Sequence, residues 1–142
     1  MKVNTKIRYG LRAMIEIASV KDTQGIFQKD IAINQNISVK YLDSIITVLR
    51  TKGLIINAKG KHSGYKLARK PEDISVWEIY TAFESVTIVD CVNNETFCEK
   101  SYDCRAHDYW LEFQLEVKQI MVTKSLAQIL VKTQQQNQTL AV

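Results

Sequence analysis

Cys91, Cys98, Cys104 and His107 are the residues of this chain best suited to chemistry. Six residues separate the first two cysteines, five the next two, and two residues stand between Cys104 and His107. Three thiolates and one imidazole complete a four-ligand set for a soft metal centre. Thiolates in a reducing compartment suit an iron–sulfur cluster or zinc, and cysteines spread along a loop can wrap a centre larger than one ion. Structural zinc sites bring their ligands in close pairs, roughly two to four residues apart. Only Cys104 with His107 has that look, so the spacing leans toward a cluster and leaves zinc or a thiol switch open. The bland readings are reduced thiols and a surface histidine near a helix start. An odd number of cysteines makes no closed disulfide framework.

A second group of residues points to nucleic acid. Leu42, Ile45, Ile46 and Leu49 recur at three- and four-residue spacing, so a helix from about Ser38 to Lys52 turns one apolar stripe to a core. Its other side carries Ser38, Val39, Lys40, Tyr41, Asp43, Ser44, Thr47 and Arg50, short hydroxyls, a phenol and cations that suit base edges and phosphates. Gly53 stops this helix, and two short strand-like runs, Leu54 to Ala58 and Tyr65 to Ala68, flank the basic turn Lys59-Gly60-Lys61-His62-Ser63-Gly64.

These groups need elements to position them. The segment Thr5 to Val20 places Ile7, Leu11, Met14, Ile15 and Ala18 on one helical face, with Arg8 and Arg12 on another. After a turn at Asp22 to Gly25, a short helix around Gln28 to Asn34 leads through Gln35-Asn36 to Ser38, a good N-cap. Two helices joined by so short a link make a helix-turn-helix, and the hairpin makes it a winged one. Ser75 and Glu78 have capping-box spacing at the start of a helix running to about Glu84. Residues 86–103 are polar and lack helical periodicity, and an ordered loop of that length usually serves a purpose.

From Cys104 to about Lys132 the pattern predicts one long helix with two apolar rows. One holds Trp110, Phe113, Val117, Ile120, Lys124, Ala127 and Val131; the other holds Leu111, Leu115, Val122, Leu126 and Ile129. Two rows require two partners, the chain's own domain and the same helix of a second subunit. The division is therefore 1–84, a winged helix-turn-helix domain; 85–104, a cysteine-containing sensor loop; 105–132, a dimerisation helix; and 133–142, a Gln-rich flexible tail. The fold class is mainly α with a small β-hairpin wing.

Charge follows the same division. Residues 1–70 hold 14 Lys and Arg against 4 Asp and Glu, a balance of +10, whereas residues 71–142 hold 5 against 11, or −6. A basic half joined to an acidic half is the footprint of a phosphate-binding module attached to something that avoids phosphate. No run reaches the roughly 18 apolar residues of a membrane span, and the N-terminus lacks a signal-peptide core, so a cytoplasmic protein is expected. There is no phosphate-cradling Gly-rich loop, no nucleophile elbow and no paired carboxylate, which sets an enzyme aside.

The run Ile37-Ser38-x-x-Tyr41-Leu42, followed by Leu49-Arg50-x-x-Gly53-Leu54, then Gly60, Gly64-Tyr65-x-Leu67-Ala68 and Pro71-Glu72-Asp73-Ile74, resembles the Rrf-two family of bacterial transcription regulators. With the three cysteines and the last helix the likeness covers nearly the whole chain. It implies a sequence-specific repressor acting as a homodimer on a double-stranded operator, each recognition helix in a major groove and each wing in the adjoining minor groove. Carried over, Ser38, Lys40, Tyr41 and Asp43 make the major-groove contacts, Ser44 and Thr47 extend them, and Lys59, Lys61 and His62 form the wing tip. Asp43 stands where many members have glutamate, and Lys59 replaces a frequent arginine. Lysine is a point charge rather than a fork, which implies a weaker preference for a narrow minor groove. For the cysteines the resemblance implies a 2Fe–2S or 4Fe–4S cluster on Cys91, Cys98 and Cys104, with His107 as fourth ligand. Some members instead use an acidic first-helix residue of the partner, a mode that the cationic Arg8 and Arg12 disfavour. The first cysteine gap is one residue longer than in the most similar family patterns. Loss or oxidation of the cluster would then change the spacing of the two recognition helices.

Overall fold

The computed structural model describes residues 1–94 and 96–132. Helix α1, Thr5–Ser19, forms because Ile7, Gly10, Ala13, Met14 and Ile17 recur on one face, and Asn4 Oδ1 accepts the Ile7 N–H at 2.9 Å to cap it. Helix α2, Gln28–Gln35, ends at Asn36, whose left-handed φ of 52° turns the chain sharply. Helix α3, Val39–Thr51, follows at once, with Ser38 as N-cap and Leu42, Ile45, Ile46 and Leu49 buried as the periodicity requires. Gly53, at φ 72°, releases the chain into the hairpin.

Strands β1, Ile55–Asn57, and β2, Tyr65–Leu67, pair antiparallel with Ile55 opposite Leu67 and Asn57 opposite Tyr65. A further bridge ties the wing to the body: Ile26 N donates to Tyr65 O at 2.9 Å, and Tyr65 N donates to Ile26 O at 2.8 Å. The backbones approach so closely here that a Cβ on Gly64 would lie 2.3 Å from Ile26. Only glycine fits that contact.

After a short 3-10 turn, Pro71–Asp73, helix α4 spans Val76–Phe83 and carries the expected capping box. Ser75 Oγ accepts the Glu78 N–H at 3.2 Å, and Glu78 Oε2 accepts the Ser75 N–H at 2.9 Å. Burial pushes the Glu78 carboxyl up, but the Ser75 N–H bond and the Arg69 guanidinium, 2.5 Å away, outweigh it and hold the group below its ordinary 4.5. A carboxylate lowered on folding stabilises the fold above its unfolded pKa, and that contribution disappears as pH falls through the folded value. Glu78→Gln is therefore expected to flatten the loss of thermal stability between about pH 5 and pH 3. A melting-temperature profile as steep as that of the wild-type chain would contradict this.

Two expectations change. Residues 86–103 are not featureless: they form helix α5, Asp90–Asn93, and a 3-10 turn, Ser101–Asp103. Neither is long enough to show a helical period, which is why periodicity misses both. The predicted continuous helix of 105–132 is broken. Helix α6 spans Arg105–Thr123, the chain crosses residues 124–125 in extended form, and 126–132 is helical again. The break is held by backbone bonds to the segment before α4, with Val76 N donating to Lys124 O at 2.9 Å and Leu126 N to Ile74 O at 2.8 Å. Ser125 then caps the last segment, its Oγ accepting the Gln128 N–H at 3.3 Å. The tail 133–142 lies outside the described residues.

One core results. Met14, Ile31, Leu42, Ile45, Ile46, Leu49, Ile55, Ile74, Ile79 and Leu126 are all fully buried, so the segment after the break closes the same core that α3 lines. A smaller cluster of Ile7, Tyr80 and Val86 receives Val117 and Met121 from α6.

Candidate nucleic-acid interface and cysteine segment

The N-terminal end of α3 and the wing tip present the residues expected at DNA. Ser38, Lys40, Asp43, Ser44, Thr47 and, on the wing, Lys59, Lys61 and His62 are all exposed. Three of the hydroxyls have backbone duties. Ser38 Oγ accepts the Tyr41 N–H at 3.2 Å, Ser44 Oγ donates to Tyr41 O at 2.7 Å, and Thr47 Oγ1 donates to Asp43 O at 2.8 Å. Ser44 and Thr47 thereby keep lone pairs rather than protons for a base edge. Tyr41 differs from the expectation of a free side chain: it is half-buried and packs on the main core. It borders a shallow groove with Thr5, Tyr9, Asn36, Ile37 and Ser38.

The wing tip is built by two unusual backbone angles, φ 111° at Gly60 and 60° at His62. Ser63 Oγ braces the turn, donating to Ala58 O at 2.5 Å with Gly60 O also in reach at 2.9 Å. The Ser63 hydroxyl thus pins the turn to the carbonyls at its base.

Gln28 is a residue that the sequence did not single out. Its Nε2 lies 3.4 Å from both Val39 O and Asp43 Oδ1, linking the first residue of α2 to the exposed face of α3. No local pattern announces such a contact, because it joins residues 15 apart in sequence.

The cysteine segment leads into α6. Cys91 sits half-buried on α5, Cys98 is exposed, and Cys104 is the N-cap of α6, its Sγ accepting the His107 N–H at 3.4 Å. All three are free thiols. Cys98 and His107 line one open hollow with Thr96, Glu99, Ser101 and Tyr102. Among the described residues no group of three or more His, Cys, Asp or Glu is drawn together closely enough to hold a metal ion. The donors nevertheless fit a thiolate-bound centre in kind. His107 Nδ1 is buried without a hydrogen-bond partner, and Asp108 Oδ1, at 3.6 Å, is beyond hydrogen-bond range. A buried ring nitrogen left without a partner is open to a proton donor or a metal ion.

Helix α6 leaves much apolar surface uncovered. Trp110, Leu111, Phe113, Leu115, Ile120 and Val122 are exposed, and no residue of α6 is fully buried. Leu111 and Leu115 border an open hollow with Asp108, Glu112, Glu116 and Gln119. Among the described residues no helix is long and apolar enough to cross a membrane.

The family model described as Rrf2, iron-dependent transcriptional regulator, matches residues 3–132. The chain belongs to the Rrf2 family. Protein rrf2 of Nitratidesulfovibrio vulgaris is 37% identical over 131 residues, covering 92% of this chain and 87% of that protein. The solved structure of CymR, the global cysteine regulator of B. subtilis, superposes with a TM-score of 0.75 at 26% identity, covering 93% of this chain and 98% of that one. IscR of T. potens also gives 0.75, at 29% identity, covering 94% and 88%. This Rrf2-family chain is a winged-helix, DNA-binding transcriptional regulator and not an enzyme.

Proposed function

We propose that this Rrf2 regulator is a homodimer whose affinity for an operator is controlled by an iron–sulfur cluster on Cys91, Cys98, Cys104 and His107. The observation that carries the reading is the buried, unpartnered His107 Nδ1 one turn from Cys104, at the start of the helix that joins the sensor segment to the domain. When bound, such a cluster supplies a redox- and nitric-oxide-sensitive centre whose thiolate bonds tie three separate stretches of chain together. The protein does the rest. Cys104 caps α6 and His107 lies in its first turn, so whatever orders the segment 91–104 also orders the start of α6, and through α6 the distance between two recognition helices. At each operator half, Ser38, Lys40, Tyr41 and Asp43 read the major groove, with Ser44 and Thr47 beside them. Asp43 accepts from a cytosine amine and repels wrong sequences. Lys59, Lys61 and His62 reach the backbone of the adjoining minor groove. Cytoplasmic residence follows from this reading, as the operator lies there.

The test is anaerobic purification followed by an absorption spectrum and operator binding. A coloured protein is expected, with the visible absorbance lost in each of Cys91→Ala, Cys98→Ala and Cys104→Ala and the DNA affinity changed along with it. Colourless protein with unchanged operator binding in all three variants would sink the sensor.

A second reading has its own support. Cys98 is exposed and the donors are not gathered, and the chain is similar to a cysteine regulator as well as to IscR. On that reading the thiols act as a redox switch, hold zinc or receive a partner protein. Colourless protein whose DNA affinity responds to thiol oxidation would favour the switch, and metal analysis separates zinc from a bare thiol.

A further inference from the structure

Tyr41 stands at the recognition end of α3, yet its direction is set by residues of α1. Its ring meets Tyr9 edge-on, with centroids 5.7 Å apart and an interplanar angle of 86°. The Arg12 guanidinium lies 5.0 Å from the Tyr9 ring centroid. Arg12 is itself clamped to the end of α2: its Nε donates to Gln35 Oε1 at 2.9 Å, and a terminal nitrogen donates to Gln35 O. Gln35 is the last residue of α2, at the turn of the helix-turn-helix. It is braced in turn, its Nε2 donating to Glu16 Oε2 at 2.6 Å, while Asn34 Nδ2 donates to Glu16 Oε1, also at 2.6 Å.

The series Glu16, Gln35, Arg12, Tyr9, Tyr41 therefore joins the first helix, the turn and the recognition helix through contacts of their side chains, with the Gln35 carbonyl as one further anchor. Each link is directional. An edge-to-face aromatic pair fixes one ring plane against another. A guanidinium with its nitrogens engaged on a carbonyl and an amide can hold its plane over a ring, which a lysine ammonium cannot copy. A side chain held this way is ordered before DNA arrives and loses less freedom on binding.

We infer that Arg12 and Tyr9 are positioning residues for sequence reading: they orient Tyr41 toward base edges and touch no base themselves. The inference rests on the operator-reading role proposed above for Tyr41. It makes specificity, rather than general affinity for DNA, the property that depends on α1.

The experiment begins with a duplex selected from a random-sequence library by the wild-type chain, compared with a scrambled duplex of equal length. Arg12→Lys keeps the charge and removes the fork. It is expected to weaken binding to the selected duplex about tenfold, to leave the scrambled duplex within about twofold, and to leave the salt dependence unchanged. Added to Tyr41→Ala, the same change should have no further effect, because the side chain it positions is gone. Tyr9→Leu should reproduce Arg12→Lys, and circular dichroism identifies either variant that fails to fold, leaving the other to decide. Equal weakening on both duplexes with a shallower salt slope would make Arg12 a phosphate contact and overturn the inference. Full additivity with Tyr41→Ala, or no loss in either variant, would overturn it too. If the wild-type chain selects no sequence at all, the operator reading itself fails, an outcome distinct from these.

Discussion

Ile120→Asp, and independently Leu115→Asp, is expected to yield a folded monomer whose operator affinity is lower by about a hundredfold to ten-thousandfold. The argument begins with α6. Leu115 is 57% exposed and Ile120 66%, on a helix that also exposes Trp110, Leu111, Phe113 and Val122. Monomeric proteins rarely leave so many apolar side chains of one helix in water, and a C2 interface in which two copies of the helix cross would cover both of its exposed flanks. A carboxylate inside such an interface has no partner, so association is lost. The domain should survive, because both side chains point away from its core. A dimer occupies two half-sites, and the second contact gains from the high effective concentration created by the first. A monomer loses that gain entirely. Sedimentation velocity measures the mass and circular dichroism the fold. Variants that remain dimeric, or monomers that bind the operator as tightly as the wild-type chain, would show that α6 is not the dimer face.

Leu126→Ala is expected to cost about 2–5 kcal/mol of stability and to lower the melting temperature by about 10 °C at fixed protein concentration. Leu126 is fully buried although it follows the exposed helix α6, and it packs in the core that holds Leu42, Ile45 and Leu49 of α3. The backbone bonds Val76 N to Lys124 O and Leu126 N to Ile74 O leave the segment little room to collapse into the cavity. That places the cost above a surface truncation. Val131→Ala, at a half-exposed position on the same terminal segment, is the control and should stay within about 0.5 kcal/mol. Equal and small shifts in the two variants would mean that the segment is only loosely docked.

Much of the DNA-binding half is legible in the sequence because its determinants are local. Apolar spacing marks α1 and α3, Ser38 and Ser75 mark helix starts, Gly53 marks a stop, and the Lys59-to-Gly64 turn marks a wing. The break at Lys124–Ser125 is different. Nothing forbids helix there: the residues are ordinary and the apolar rows run through. What interrupts the helix is a pair of hydrogen bonds and a core position offered by residues 74–76, which lie roughly 50 positions earlier in the chain. The orphaned nitrogen of His107 is equally invisible beforehand, since burial of one ring atom depends on how α5 and the 3-10 turn fold against the start of α6.

The sequence by itself thus determined a winged helix-turn-helix with a basic half, three cysteines and an apolar last helix, because period, caps and turn residues act over a few positions, and its motifs carried the resemblance to the family. Only the tertiary structure decided that Tyr41 meets Tyr9 beneath the Arg12 guanidinium, that Leu126 returns to the core behind α3, and that α6 buries Val117 and Met121 in part while leaving Leu111, Leu115, Ile120 and Val122 exposed. Those outcomes are set by which surfaces are already covered when distant segments meet, and no single stretch of chain carries that information.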